Sequence, residues 1–157
     1  MKGNLPVTYR LADVNDAERL AELLWDHVDE DTPLDSAGKA AYILLCSEHI
    51  KNRLGIDLHC WIADDSGLIA AHIYIIITPK IPKPGMLNRV SGRLSSVRTV
   101  PEYRNQGVGS ALMDKVKTWS RERNLEELAV WPSERSVPFY ERAGFKNENE
   151  IMEMLFE

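Results

Sequence analysis

Hydrophobic residues along this chain fall into two rhythms, one of period two and one near 3.6. Val7 to Leu11 alternates with polar neighbours and predicts a short first strand. Leu20, Leu23, Leu24, His27 and Val28 recur at helical spacing. A helix is therefore expected from about Asp16 to Asp29, with Asp13, Asn15 and Asp16 as capping residues and Asp31-Thr32-Pro33 as its break. A second helix is expected from Ser36 to Leu54, with Ala40, Ile43, Leu44, Ser47, Ile50, Lys51 and Leu54 as its inward stripe and Gly55 as its stop. Leu58 to Asp64 reads as a strand, Asp65-Ser66-Gly67 as a hairpin turn, and the isoleucine-rich run Leu68 to Thr78 as a central strand buried on both faces. Pro79 to Pro84 carries three prolines and reads as a loop, either a surface connection or a lining for a substrate.

Beyond that loop the rhythm resumes. Ser91 to Val100 is a strand stopped by Pro101, and Gly107 to Arg123 is a helix whose inward positions are Val108, Leu112, Met113, Val116 and Trp119. Leu128 to Trp131 is a short strand, Ser136 to Ala143 a helix ended by Gly144, and Ile151 to Phe156 alternates as a last strand. The order is strand, two helices, three strands, helix, strand, helix, strand. It predicts an α/β (α+β) chain, a mixed sheet with about four helices on its faces.

Composition adds bounds. The 157 residues suit one domain spanning 1–157, and 44% hydrophobic with 27% charged is ordinary for a soluble globular protein. A formal net charge of -5 argues against a nucleic-acid partner and suits a cationic or amine-bearing one. The longest apolar run, Leu68 to Ile77, is too short for a helix that crosses a membrane, and Met1 to Arg10 lacks the apolar centre of a signal peptide. Cys46 and Cys60 are isolated, with no disulfide framework and no zinc spacing. The expectation is a cytoplasmic protein with reduced cysteines, no metal and no membrane contact.

The stretch Val97-Arg98-Thr99-Val100-Pro101-Glu102-Tyr103-Arg104-Asn105-Gln106-Gly107-Val108-Gly109-Ser110 carries the chemistry. A strand ends, a turn follows, and a helix opens on two glycines. The first helical turn has unpaired N–H groups and partial positive charge, and glycine lets a ligand approach that backbone, so a diphosphate suits it. A Walker loop would need Lys-Ser or Lys-Thr where Ser110 and Ala111 stand, and a dinucleotide fingerprint would need a third glycine.

Two runs together resemble a known family. Arg104-Asn105-Gln106-Gly107-Val108-Gly109, preceded by Val100-Pro101-Glu102-Tyr103, resembles motif A of the GCN5-related N-acetyltransferase (GNAT) family. Pro138-Phe139-Tyr140-Glu141-Arg142-Ala143-Gly144-Phe145 resembles motif B, at the separation the family requires. The resemblance implies a mostly antiparallel sheet of about six or seven strands that splays between the fourth and fifth. It implies acetyl-CoA as co-substrate, with pantetheine along Val97, Arg98 and Thr99. It places the pyrophosphate on the backbone of Asn105, Gln106, Gly107, Val108, Gly109 and Ser110, with Arg104 adding charge. Ser133 stands where many members carry a coenzyme-touching asparagine, and Ser136 is a weaker contact candidate. Tyr140 matches the tyrosine that protonates the departing thiolate as general acid.

The base has no match. Many members place a glutamate on the strand before motif A, where this chain reads Gly92-Arg93-Leu94-Ser95-Ser96. Three routes stay open: a water relay through Ser95, Ser96 or a carbonyl; a side chain from elsewhere, with Glu134, His72 and Glu30 as candidates; or an amine that arrives neutral. The implied activity is acetyl transfer to a primary amine of a small molecule or of a peptide or protein, by direct attack in a ternary complex. Alternatives are a coenzyme-binding sensor without turnover and a different donor such as succinyl-CoA. The family's acceptor site would use residues 16–54 and 79–90, and a homodimer is compatible with the family.

Overall fold

The computed structural model describes residues 6–148 and 151–156. Its elements are β1 (Thr8–Leu11), α1 (Ala17–Asp31), α2 (Lys39–Arg53), β2 (Leu58–Asp65), β3 (Leu68–Pro79), β4 (Val90–Thr99), α3 (Val108–Glu122), β5 (Leu128–Ala129) and α4 (Val137–Arg142). Among the described residues the strands form one five-stranded sheet in the order β1-β2-β3-β4-β5. All pairings are antiparallel except β4 with β5. The sheet is thus smaller than the expected six or seven strands. The missing strand is Ile151–Phe156, which pairs with nothing described and stays exposed.

Local chemistry explains the elements. Asp13 accepts from Asn15 N at 2.8 Å, while Asp16 accepts from Asp13 N at 2.8 Å, a reciprocal cap that starts the 3-10 turn leading into α1. Arg10 on β1 then binds Asp16 at 2.8 Å and Asp64 at 2.9 Å, tying the first strand to the second and to the start of α1. Ser66 (φ 55) and Gly67 (φ 93) close the β2–β3 hairpin with two positive φ angles, as a two-residue turn between right-twisted strands requires.

β3 is central, and Ile69 to Ile75 are buried on both faces. One core, against α1 and α2, gathers Leu20, Ile50, Ile62, Ile69 and Tyr74. The other, against α3 and α4, gathers Ile73, Ile75, Leu94, Leu112, Met113, Val116 and Tyr140. All five expected inward positions of α3 are buried. The α2 stripe is narrower than its pattern predicts. Ser47 and Ile50 are buried, but Leu44 is 63% exposed, because α2 lies chiefly on α1 rather than across the sheet. No described helix is long and apolar enough to cross a membrane.

Candidate active site

β4 and β5 stay paired only at Gly92 with Leu128 and Arg93 with Ala129. Beyond Ala129 the chain runs on unpaired, while β4 continues to Thr99, so the sheet parts where the motifs predict. Gly92 permits that brief contact. A Cβ there would lie 2.8 Å from Leu128 Cδ2 and 3.0 Å from Leu125 Cδ1. The opening is a cleft of about 770 Å³. Ser95, Ser96, Val97, Arg98 and Thr99 form one wall, Val130, Trp131, Pro132 and Ser133 the other, and Gly109, Leu112 and Tyr140 also line it.

The β4 wall is irregular. His72 pairs with Arg98 but Tyr74 pairs with Ser95, so β4 carries one extra residue, and Ser96 takes φ 47. Such a bulge breaks the ladder locally and leaves backbone groups unpaired, here on the cleft wall. Left-handed φ at a serine carries local strain, on the order of 1 kcal/mol.

At one end of the cleft stands the start of α3. A 3-10 turn at Pro101–Tyr103 precedes it, followed by Asn105 (φ 59) and Gly107 (φ 79). Positive φ at 107 suits glycine, and the two left-handed residues curve the loop into a concavity of backbone amides. No side chain caps α3, so its first N–H groups are unsatisfied within the helix. Gln106 Nε2 donates to Glu102 O at 2.8 Å and braces the turn. Arg104, Asn105 and Gly109 line the cleft, whereas the side chains of Gln106, Val108 and Ser110 do not; Val108 is buried in the core. A Cβ at Gly109 would approach Thr99 Oγ1 to 3.1 Å, so glycine lets α3 press against the end of β4.

Tyr140 reaches the cleft from α4. Its ring packs at 5.2 Å from Phe139 and 5.5 Å from Phe145, and its hydroxyl bonds to no described residue. Burial raises its pKa above the ordinary phenol value, which keeps the proton on oxygen. Ser133 Oγ donates to Ser136 Oγ at 3.1 Å, and Ser136 Oγ donates to Ser133 O at 2.8 Å, so the two serines brace each other at the cleft rim.

The three base candidates are separated by the fold. Glu134 does not line the cleft. Glu30 is bound by Arg98 and Arg104, the latter at 2.9 Å, so its charge is already matched. The same contact, with Arg104 Nε donating to Thr99 O at 3.0 Å, turns the Arg104 guanidinium toward α1. His72 is 2% exposed, and its Nε2 lies 3.3 Å from Ser96 Oγ. Burial pulls its pKa down to about 3.

A second cavity of about 440 Å³ lies on the α1 side, lined by Leu23, Asp26, His27, Glu30, Leu68, His72, Arg98 and Tyr103 among others. It meets the cleft at His27 and Arg98, which line both. Of the segments expected to form an acceptor site, α1 contributes to these cavities, while α2 and residues 79–90 do not. Loop 80–89 is instead drawn to the turn before β5, with Lys80 on Glu126 at 3.0 Å and Arg89 on Glu126 at 2.7 Å. His27 is the residue sequence reasoning passed over, since its place on the inward stripe of α1 made it look like core. Its spacing to Glu30 and Asp31, three and four residues on, was the available signal. Burial and then Arg98 lower its pKa below the ordinary imidazole value.

A family model described as the Acetyltransferase (GNAT) family matches residues 18–145. A glucosamine 6-phosphate N-acetyltransferase of Trypanosoma brucei brucei is 28% identical over 145 residues, covering 92% of each chain. A predicted acetyltransferase of Clostridium acetobutylicum, solved with acetyl-CoA, superposes with a TM-score of 0.75 at 22% identity over 96% of each chain. An acetyltransferase structure from Trypanosoma brucei gives 0.71 at 24% identity, covering 96% of this chain and 100% of the other. The two structures share the fold. The family model takes in both motifs and most of the parted sheet between and around them, and on that ground this chain belongs to the GNAT family and is an acetyltransferase.

Proposed function

We propose that the chain transfers an acetyl group from acetyl-CoA to a primary amine of a small molecule or of a peptide or protein. The observation that carries this reading is the cleft itself: uncapped α3 amides at one end, an interrupted β4 ladder along one wall and Tyr140 in its lining. The amides of residues 105–110 would hold the pyrophosphate, and the β4 wall at Val97–Thr99 would pair with pantetheine. A backbone N–H released by the bulge would bind the carbonyl oxygen as it gains charge. The amine nitrogen attacks the thioester carbon, the C–S bond breaks, and Tyr140 gives its proton to the leaving sulfur.

The amine's proton needs a base, and magnitudes choose between the histidines. Holding a proton at pH 7 on a group whose pKa is about 3 costs about 5 kcal/mol, so His72 is a poor store. His27 is only half-buried and lies where the two cavities meet, so we assign it the base role. The acceptor would enter from the α1 side.

Coenzyme release measured with a panel of amines tests the reading. Glucosamine 6-phosphate is the first member, nominated by the Trypanosoma brucei brucei relative. Turnover with any amine supports the enzyme. Tight coenzyme binding without turnover on the whole panel would favour a sensor, and preference for succinyl-CoA in donor competition would replace the donor.

A further inference from the structure

The chain as a whole is acidic, with a formal net charge of -5, but its cleft is not. The cleft lining holds four arginines, Arg93, Arg98, Arg104 and Arg135, and no aspartate or glutamate. Three of them are matched by carboxylates just outside it: Arg98 and Arg104 by Glu30, and Arg135 by Asp31 at 3.5 Å. Arg93 has no such partner among the described residues. Its guanidinium lies over the Trp131 ring, 5.0 Å from the centroid, a contact that fixes the cation without using its N–H groups on an acceptor.

Position decides which anion would meet this cation. Arg93 pairs across the ladder with Ile76, whose side chain packs on the α1–α2 core, while Leu94 beside it faces the α3 core. Directly opposed residues share a face, so Arg93 leaves the sheet on the α1 side. That is the side from which the acceptor enters in the proposed reaction. The start of α3 lies toward the other end of β4, where Gly109 meets Thr99. Thr99 is six positions beyond Arg93, roughly 20 Å of strand. A pyrophosphate on the α3 amides is therefore out of reach of Arg93, and the pantetheine between them carries no charge.

We propose that Arg93 binds an anionic group, a phosphate or a carboxylate, carried by the amine acceptor at the end remote from its nitrogen. The inference rests on the acetyl-transfer reading of the cleft, and it narrows the acceptor to amines with an anionic tail. The amine lies toward His27 and the bulge at Ser96, and the anion toward Arg93, three positions back along β4. Arginine suits the task, since its planar fork donates two parallel hydrogen bonds to one carboxylate or phosphate. Trp131 holds the guanidinium in place, and Trp131 is itself fixed at its edge, where Nε1 donates to Glu153 at 2.7 Å.

Matched acceptors test it: glucosamine 6-phosphate against glucosamine, and γ-aminobutyrate against its amide. Binding is read by calorimetry on protein saturated with coenzyme A, so that the α3 amides are already filled, and kcat/KM by coenzyme release. In at least one pair the anionic member should bind and react at least about tenfold better than its neutral twin. Arg93→Gln should bring that ratio close to one, and Arg93→Lys should restore part of it. Arg135→Gln removes a cation that Asp31 already matches, and should keep most of the preference. No preference in either pair, or one that survives Arg93→Gln, overturns the proposal. An equal loss in Arg135→Gln overturns it too, because the selectivity would then belong to the field of the whole cleft. Anion-dependent binding that follows Arg93 without any turnover would keep the anchor and sink acetyl transfer, and turnover of neutral amines alone would do the reverse.

Discussion

His72 and Ser96 meet across the bulge in β4, with the imidazole Nε2 3.3 Å from the serine Oγ. The imidazole is buried on β3, and the serine sits at φ 47 on the cleft wall. This contact gives the buried ring a polar partner where the ladder is interrupted. His72 does not line the cleft itself, and Ser96 is its contact on the cleft wall. A neutral ring of this kind orients a hydroxyl; it does not store a proton.

Acid should therefore unfold the protein partly through His72. Its folded pKa, about 3, lies below the ordinary value of 6.5. In that window the unfolded chain binds more protons than the folded one. The stabilisation is present above about pH 6.5 and is lost as pH falls toward 3. Full loss would be on the order of a few kcal/mol. In His72→Gln, thermal melts between pH 7 and pH 4 should show a shallower fall in Tm than in the parent. Equal slopes would assign the acid sensitivity to other groups.

Tyr140→Phe should lower turnover by about 10²-fold and leave coenzyme affinity within about twofold. The ring packs against Phe139 and Phe145, and phenylalanine keeps that packing. The change therefore isolates the hydroxyl, which bonds to no described residue. Calorimetry for coenzyme and steady-state rates for acetyl transfer read the two effects separately. Unchanged turnover would remove Tyr140 from the acid role.

The helix start at the end of the cleft was legible in the sequence because it rests on backbone. A helix opening at Gly107 follows from the glycine pattern, whereas the positive φ of Asn105 is set by the turn that precedes it. The α3 stripe was read correctly since one broad apolar face packs on one sheet. What escaped depends on long-range packing. Nothing in Gly-Arg-Leu-Ser-Ser announces that Ser96 adopts positive φ, because the bulge arises from pairing with β3. Leu44 looked buried because helical spacing says which residues share a face, but not whether that face has a partner. The same blindness hid His27, which lines both cavities together with Arg98 from a strand far away in sequence.

His27→Gln should remove the acidic limb of the kcat/KM profile. The folded pKa of His27 lies below 6.5, from burial and then from Arg98. Protonation below that pKa would block proton uptake from the amine, so the parent rate should fall as pH drops through a midpoint under about 6.5. The variant should be slower by about 10² at neutral pH and insensitive to pH in that range. A variant that keeps the parent's acidic limb would assign it to another group, and the base role would pass to a water relay along Ser95 and Ser96.

Gly92→Val should damage the proposed coenzyme cleft from beneath. The β4–β5 ladder has only two residue pairs, Gly92 with Leu128 and Arg93 with Ala129, and these hold the closed end of the cleft. A Cβ at 92 would meet Leu128 Cδ2 at 2.8 Å, Leu125 Cδ1 at 3.0 Å and Ile75 Cγ2 at 3.3 Å. Alanine can be accommodated if the ends of the two leucine side chains rotate. Valine adds two methyl groups against the same wall and must push β5 away from β4. Overpacking of this kind costs about 1–3 kcal/mol, or roughly 2–4 °C of Tm for each kcal/mol in a chain of this size. Since β5 leads directly into Val130–Ser133, the far wall of the cleft should move with it, and coenzyme affinity should fall with Tm. Gly92→Ala should show both effects to a smaller degree. A valine variant that melts lower but binds coenzyme as tightly as the parent would mean that the cleft width is set by α3 and α4 rather than by this ladder.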